Sequence, residues 1–180
     1  MTDTMFDAAP DRPLPEALDA DRAHLPAGLN PVEPAYRAIL RTKFALLWLP
    51  FLVGALVLDN FAFEGQSFRG IASLVVFVLM ASIVSVAPNR IWRRLGYALG
   101  EKELRIVRGW LFHADTIVPF VRVQHLDVAR GPLDKLFGTA SLIVHTAGTH
   151  NSVVTLPGLD PERAIALRDT IRAQIKTDWQ

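Results

Sequence analysis

Four histidines in the C-terminal half, His113, His125, His145 and His150, are the residues best suited to chemistry, and Asp127 lies two positions from His125. A zinc ion needs about three or four converging ligands. The sequence has no cysteine, which removes thiolate ligands, disulfides and a cysteine nucleophile. Nothing in the histidine spacing enforces convergence, so they read as polar residues on strand faces and turns, and no metal is expected. Ser141 and Ser152 lack the flanking glycines of a nucleophile elbow. Asp115, Asp127 and Asp134 would meet as acid–base pairs only by accident of folding. Gly109, Gly131, Gly138, Gly148 and Gly158 stand singly where turns need them and form no phosphate-cradling run. No catalytic, metal-binding or cofactor-binding residue is assigned, no cofactor is expected, and the chain is read as a non-enzyme.

The cations offer a second chemistry. Arg93, Arg94, Lys102, Arg105 and Arg108 are the candidate contacts for lipid headgroups, with Arg122, Arg130 and Lys135 further along. Each such charge near an anionic membrane surface is worth ~1 kcal/mol. The competing reading makes them solvated strand residues balanced by Glu101, Glu103, Asp127 and Asp134. The formal net charge is only +1, averaging an acidic start with a mildly basic C-terminal part. No dense Lys/Arg patch is interleaved with aromatics, so no nucleic-acid partner is expected.

The elements that position these residues begin with two apolar stretches, Phe44–Leu58 and Ile71–Ala87. Neither contains a charge, and neither has the polar stripe that a core helix of a soluble protein would show. At ~1.5 Å per residue the first covers roughly 22 Å, short of a hydrocarbon core of ~30 Å. It therefore needs Ala38–Leu40 upstream, with Arg41 and Lys43 reaching for headgroups. Pro50 is expected to bend it. Ser73, Ala81, Ser82 and Ser85 are the small residues expected to let the two helices approach. Trp92 is the clearest candidate for an interfacial aromatic. Absence of an ionisable residue inside either stretch argues against a transporter. Arg37, Arg41 and Lys43 precede the first span, and Arg90, Arg93 and Arg94 follow the second, whereas the connection holds Arg69 beside Asp59 and Glu64. The positive-inside rule then puts both chain ends in the cytoplasm of a multi-pass inner (plasma) membrane protein.

Residues 1–33 read as a disordered acidic tail, broken by Pro10, Pro13, Pro15, Pro26 and Pro31 and unlike a secretory signal. Residues 34–91 form the hairpin, with spans at about 41–60 and 70–88, and 92–180 a soluble domain. In the domain the apolar period becomes two. Strands are expected at Glu103–Arg108, Phe112–Val118, Val121–Ala129 with a bulge near Gln124–His125, Ala140–Thr146 and Ser152–Leu156, with Pro157-Gly158 ending the sheet. Gly131–Gly138 is a loop or short helical turn. Asp160-Pro161-Glu162 starts a last helix to about Lys176, whose apolar face is Ala164, Leu167, Ile171 and Ile175.

The runs Tyr97-Ala98-Leu99, Leu104-Arg105-Ile106, Ile117-Val118-Pro119, Val123-Gln124-His125-Leu126, Phe137-Gly138-Thr139-Ala140, Val144-His145-Thr146-Ala147-Gly148 and Leu156-Pro157-Gly158-Leu159 resemble the bacterial PH-like domain family. With the preceding hairpin, residues 36–176 look like a YdbS-like membrane protein. The resemblance implies an α+β membrane protein: a two-helix transmembrane hairpin, then a PH-like antiparallel β-barrel with a C-terminal helix. With the hairpin as anchor and sheet edges near Phe112–Val118 or Ser152–Leu156 able to accept a strand, the chain is read as a membrane-anchored binding or scaffolding module, with the bilayer as integral partner. The further partner would be a second copy or a larger multi-copy PH-like membrane protein. The alternative is an anionic-lipid-binding or lipid-handling protein of the inner leaflet.

Overall fold

The computed structural model describes residues 25, 28–61, 69–110, 112–147 and 152–177. Most of the expected acidic tail, the centre of the hairpin connection and His150 lie outside them. Helix α1 runs Ala35–Phe61 and α2 runs Ile71–Arg93. Strand β1 is Asn30–Pro31, and beyond the hairpin come β2 (Gly96–Leu99), β3 (Glu103–Arg108) and β4 (Ala114–Pro119). A 3₁₀ turn at Phe120–Arg122 leads to β5 (Val123–Ala129), α3 (Pro132–Phe137), β6 (Ala140–Thr146), β7 (Val153–Leu159) and α4 (Pro161–Thr177).

Two sets of polar contacts frame the hairpin. At one end the Arg41 guanidinium donates to Asn89 Oδ1 at 3.3 Å. At the other, Arg69 donates to Asn60, and the Ser73 amide donates to Asp59 Oδ2 at 2.8 Å. From Arg41 to Asn60 the helix rises ~28 Å at ~1.5 Å per residue, close to a hydrocarbon core of ~30 Å. Between these contacts Leu46, Leu47, Phe51, Val57, Leu74, Val75 and Phe77 face outward, as lipid-facing side chains do. The helix thus gains its missing length at both ends. Ala81, Ser82 and Ser85 prove exposed, and the small residues that are buried are Ala55 and Ala87.

Four strands form one sheet in the order β1-β2-β3-β4, and three form another in the order β5-β6-β7. All described pairings are antiparallel. No pairing joins the two sheets among the described residues: the chain passes from β4 to β5 through the 3₁₀ turn, whose Phe120 is buried. The sheets share one core. Leu104, Ile106 and Val118 come from the first, and Leu142, Val144 and Leu156 from the second. Ala164, Leu167 and Ile171 of α4 close it, and α4 lies against β5, β6 and the 3₁₀ turn. Its N-terminus is capped by Asp160, whose Oδ2 accepts from the amides of Glu162 and Arg163 at 3.0 and 3.3 Å.

Three details differ from the sequence reading. Leu29 to Glu33, expected at the end of the tail, are ordered: Asn30 and Pro31 pair with Tyr97 and Gly96, and Val32 is in the core. Trp92, expected at the membrane interface, is buried, and its indole donates to the carbonyls of Val32 and Glu33 at 3.2 and 3.0 Å. Strand β7 does not stop at Pro157-Gly158 but continues to Leu159. Proline is tolerated there because β7 is an edge strand. Gly158 has φ 73°, and a Cβ on it would lie 2.7 Å from the Tyr36 ring. The bulge near Gln124 is present as a register shift between Val123 and His125.

Candidate functional site

The helix ends are built into the domain rather than merely leading to it. Tyr36, Ile39 and Leu40 of α1 and Trp92 of α2 belong to the same core as the sheets. Arg37 lies over the Trp92 ring, 4.2 Å from its centroid, a cation–π contact. Glu33 sits beside Arg163 at 4.0 Å. Burial raises the Glu33 carboxyl above the ordinary range, and Arg163 partly offsets this. Burial also raises the Tyr97 hydroxyl.

The five candidate headgroup residues are not one surface. Arg93 ends α2, and Arg94 caps it. Gly96 pairs with Val107, so Arg108 and the residues after it return to the level of the last turn of α2. Arg93, Arg94 and Arg108, all exposed, therefore share the hairpin end of the domain. Lys102 is at the opposite end of the β2–β3 hairpin, its carbonyl accepting from the Phe120 amide at 2.9 Å. Arg105 lies between them and is engaged: its Nε and Nη2 hold both oxygens of Asp115 at 2.5–3.1 Å. That two-pronged pair raises the Arg105 guanidinium and lowers the Asp115 carboxyl from their usual values. Arg130 is likewise engaged, its Nε donating to the Thr139 carbonyl at 3.2 Å.

The structure does bring some of the histidines together. His125 and His145 are register partners on β5 and β6. Their Nε2 atoms lie 2.9 and 3.6 Å from the two oxygens of Asp127. All three face solvent in part, and among the described residues no group of three or more forms a metal-holding cluster. One carboxylate bridging two rings is a polar patch on a sheet face.

Two features escaped the sequence reading. Asp59, just past the first apolar stretch, lies within α1 and is buried. The signal was its position ahead of Gly70 and Ser73, whose amides begin α2. The other feature is the β3–β4 connection, where Trp110 is 40% and Phe112 82% exposed. A tryptophan and a phenylalanine after Gly109, in a turn where polar residues are usual, were the legible sign.

Residues 44–175 match the family model for the bacterial PH domain, which takes in most of the hairpin and strands β2 to β7. The chain belongs to the bacterial PH domain family. Over 98 residues it is 39% identical to UPF0699 transmembrane protein YdbS of Bacillus subtilis (strain 168). That match covers 52% of this chain and 58% of the relative, so the chain spans less than two thirds of the length of the curated protein it matches. No solved structure matches it. This bacterial PH domain protein is thus a YdbS-like membrane protein, with two helices long and apolar enough to cross a bilayer.

Proposed function

We propose that the chain is a membrane-anchored assembly module. The hairpin holds a PH-like domain at the cytoplasmic face, and the domain grips a partner rather than turning over a substrate. The two sheets are read as halves of a PH-like barrel cornered at Phe120–Arg122, with the domain limit at 92–180 and Leu29–Leu40 adding to its core. The arginines and lysine flanking both spans support a cytoplasmic location for the domain and both chain ends in an inner membrane.

The observation that carries the reading is the β4 edge. Strand β4 pairs only with β3 among the described strands, and its Ile117 is 52% exposed. An edge strand with an apolar side chain in solvent is a template for strand addition. The β7 edge is less open, because the Gly158 carbonyl already accepts from the Glu33 amide at 2.7 Å. The partner is a second copy or a larger multi-copy PH-like membrane protein. A photo-crosslinking residue at Ile117, in the full chain in native membranes, should give a discrete larger species. The same residue at Ile165, exposed on α4, should not. No crosslinked species from Ile117 would contradict the assignment.

A second reading, anionic-lipid contact at the inner leaflet, is favoured by Arg93, Arg94 and Arg108 at the hairpin end of the domain. Lys102 and Arg105 contribute less to it, one by distance from the membrane and the other by its pairing with Asp115.

A further inference from the structure

We propose that the β3–β4 connection, through Trp110 and Phe112, is an interfacial anchor that dips into the headgroup layer of the bilayer the hairpin spans. It rests on the hairpin reading and is independent of the partner proposed for β4.

The location is set by backbone pairing. Strand β2 leaves the end of α2 and β3 returns, Gly96 opposite Val107, so Arg108, Gly109 and Trp110 run back past the start of β2. The Arg94 guanidinium, at the end of α2, donates to the Trp110 carbonyl at 3.2 Å. The connection is therefore tied to the helix that crosses the membrane. Asn89, bonded to Arg41, marks the upper edge of the apolar slab. From Asn89 to Arg94 the helix rises ~7 Å. The headgroup zone of one leaflet is ~5–7 Å deep, so Arg94 stands at its outer edge, and the side chains of the loop it holds can reach into it.

The chemistry fits that depth. Tryptophan and arginine are residues of the membrane–water interface, where a ring meets acyl carbon and a guanidinium meets phosphate. Among the described residues, Phe112 is more exposed than any other aromatic residue of the domain outside the helices. Exposed Arg93, Arg94 and Arg108 lie at the same end of the domain, and anionic headgroups complement them. Gly109, at φ 154°, lets the turn fold so tightly that a Cβ there would collide with the Phe112 carbonyl. That turn holds the aromatic side chains out without a long loop. By contrast, Val121, 70% exposed, lies in the 3₁₀ turn at the far end of β4 and has no membrane near it in this arrangement.

The cysteine-free sequence gives a clean test. Phe112→Cys and Val121→Cys variants of the full chain carry a single nitroxide each and are reconstituted in vesicles of phosphatidylcholine and phosphatidylglycerol. Collisions with oxygen and with a water-soluble nickel chelate report depth. The label at 112 should lose nickel collisions and gain oxygen collisions relative to the label at 121, and should keep doing so as the protein-to-lipid ratio is lowered. Equal nickel access at 112 and 121 would overturn the proposal. So would protection at 112 that disappears on dilution, which would mean a second copy of the chain covers the loop. Either result leaves crosslinking through Ile117 to be judged on its own.

Discussion

The Trp92 indole N–H donates to the backbone carbonyl of Glu33 at 3.0 Å, joining the last turn of the second membrane helix to the segment that leads into the first. With the second bond to Val32 at 3.2 Å and the Arg37 guanidinium over the ring, this locks the two helix ends and the sheet into one body. A domain held in this way cannot swing freely on its anchor. Its edges and loops are presented at a fixed height above the membrane.

Trp92→Phe keeps most of the apolar volume and removes the donor. The buried Val32 carbonyl then loses the indole donor, and the half-buried Glu33 carbonyl is left with the Tyr36 amide, at a cost of about 1–3 kcal/mol. Chemical denaturation of the full chain in detergent micelles, followed by near-ultraviolet circular dichroism, should show that loss. An unchanged unfolding free energy would mean that the indole bonds do not hold the helix ends.

Gly158 and Gly138 both have a positive φ, 73° and 70°, but only Gly158 faces a neighbour, the Tyr36 ring. Gly138→Ala should cost about 1–2 kcal/mol from left-handed backbone strain alone. Gly158→Ala should cost more, because the Cβ must also displace the ring on which α1 meets β7. Equal losses in the same denaturation assay would show that the Tyr36 contact is not tight.

The much later position of Gly158 in the chain explains why its role was not legible in the sequence. Pro157-Gly158 reads locally as a stop signal, and only the packing of Tyr36, more than a hundred residues away, makes it part of a strand. The same holds for Trp92. A tryptophan after an apolar span is the usual mark of the interface, yet here a two-residue strand at Asn30–Pro31 brings acceptors to it. What local pattern controls was readable: the two spans, the period-two strands, the bulge near Gln124 and the Asp160 cap. What needs distant partners was not, including the pairing of Arg105 with Asp115. Cross-strand neighbours such as these depend on register, which the alternation of β3 and β4 leaves open by steps of two.

That pair carries a pH dependence. Arg105 lowers the Asp115 carboxyl below its ordinary value of about 3.9. A group lowered on folding contributes stability that is full above its unfolded value and is lost as pH falls through its folded value. The full chain should therefore lose stability below about pH 4, and Asp115→Asn should lose less over the same range while being weaker at pH 7. Parallel pH profiles for the two proteins would contradict the assignment. Both side chains are partly exposed, so salt should shrink the difference.

Asp59 accepts the Ser73 amide across the hairpin turn. Asp59→Asn keeps an acceptor oxygen there, whereas Asp59→Ala leaves the amide without its partner. Protease resistance of the hairpin connection in reconstituted vesicles should follow the order wild type, Asp59→Asn, Asp59→Ala. Equal resistance of all three would remove Asp59 from the closure of the hairpin.

The central claim is that the hairpin places the PH-like domain on the cytoplasmic side, against the membrane it spans. Single cysteines at Glu101, in the exposed β2–β3 turn, and at Glu64, in the hairpin connection, test it in intact cells with a membrane-impermeant maleimide. The account predicts labelling at 64 before lysis and at 101 only after it. Labelling of both positions from the same side would contradict the hairpin, and labelling of 101 alone in intact cells would place the domain on the wrong face.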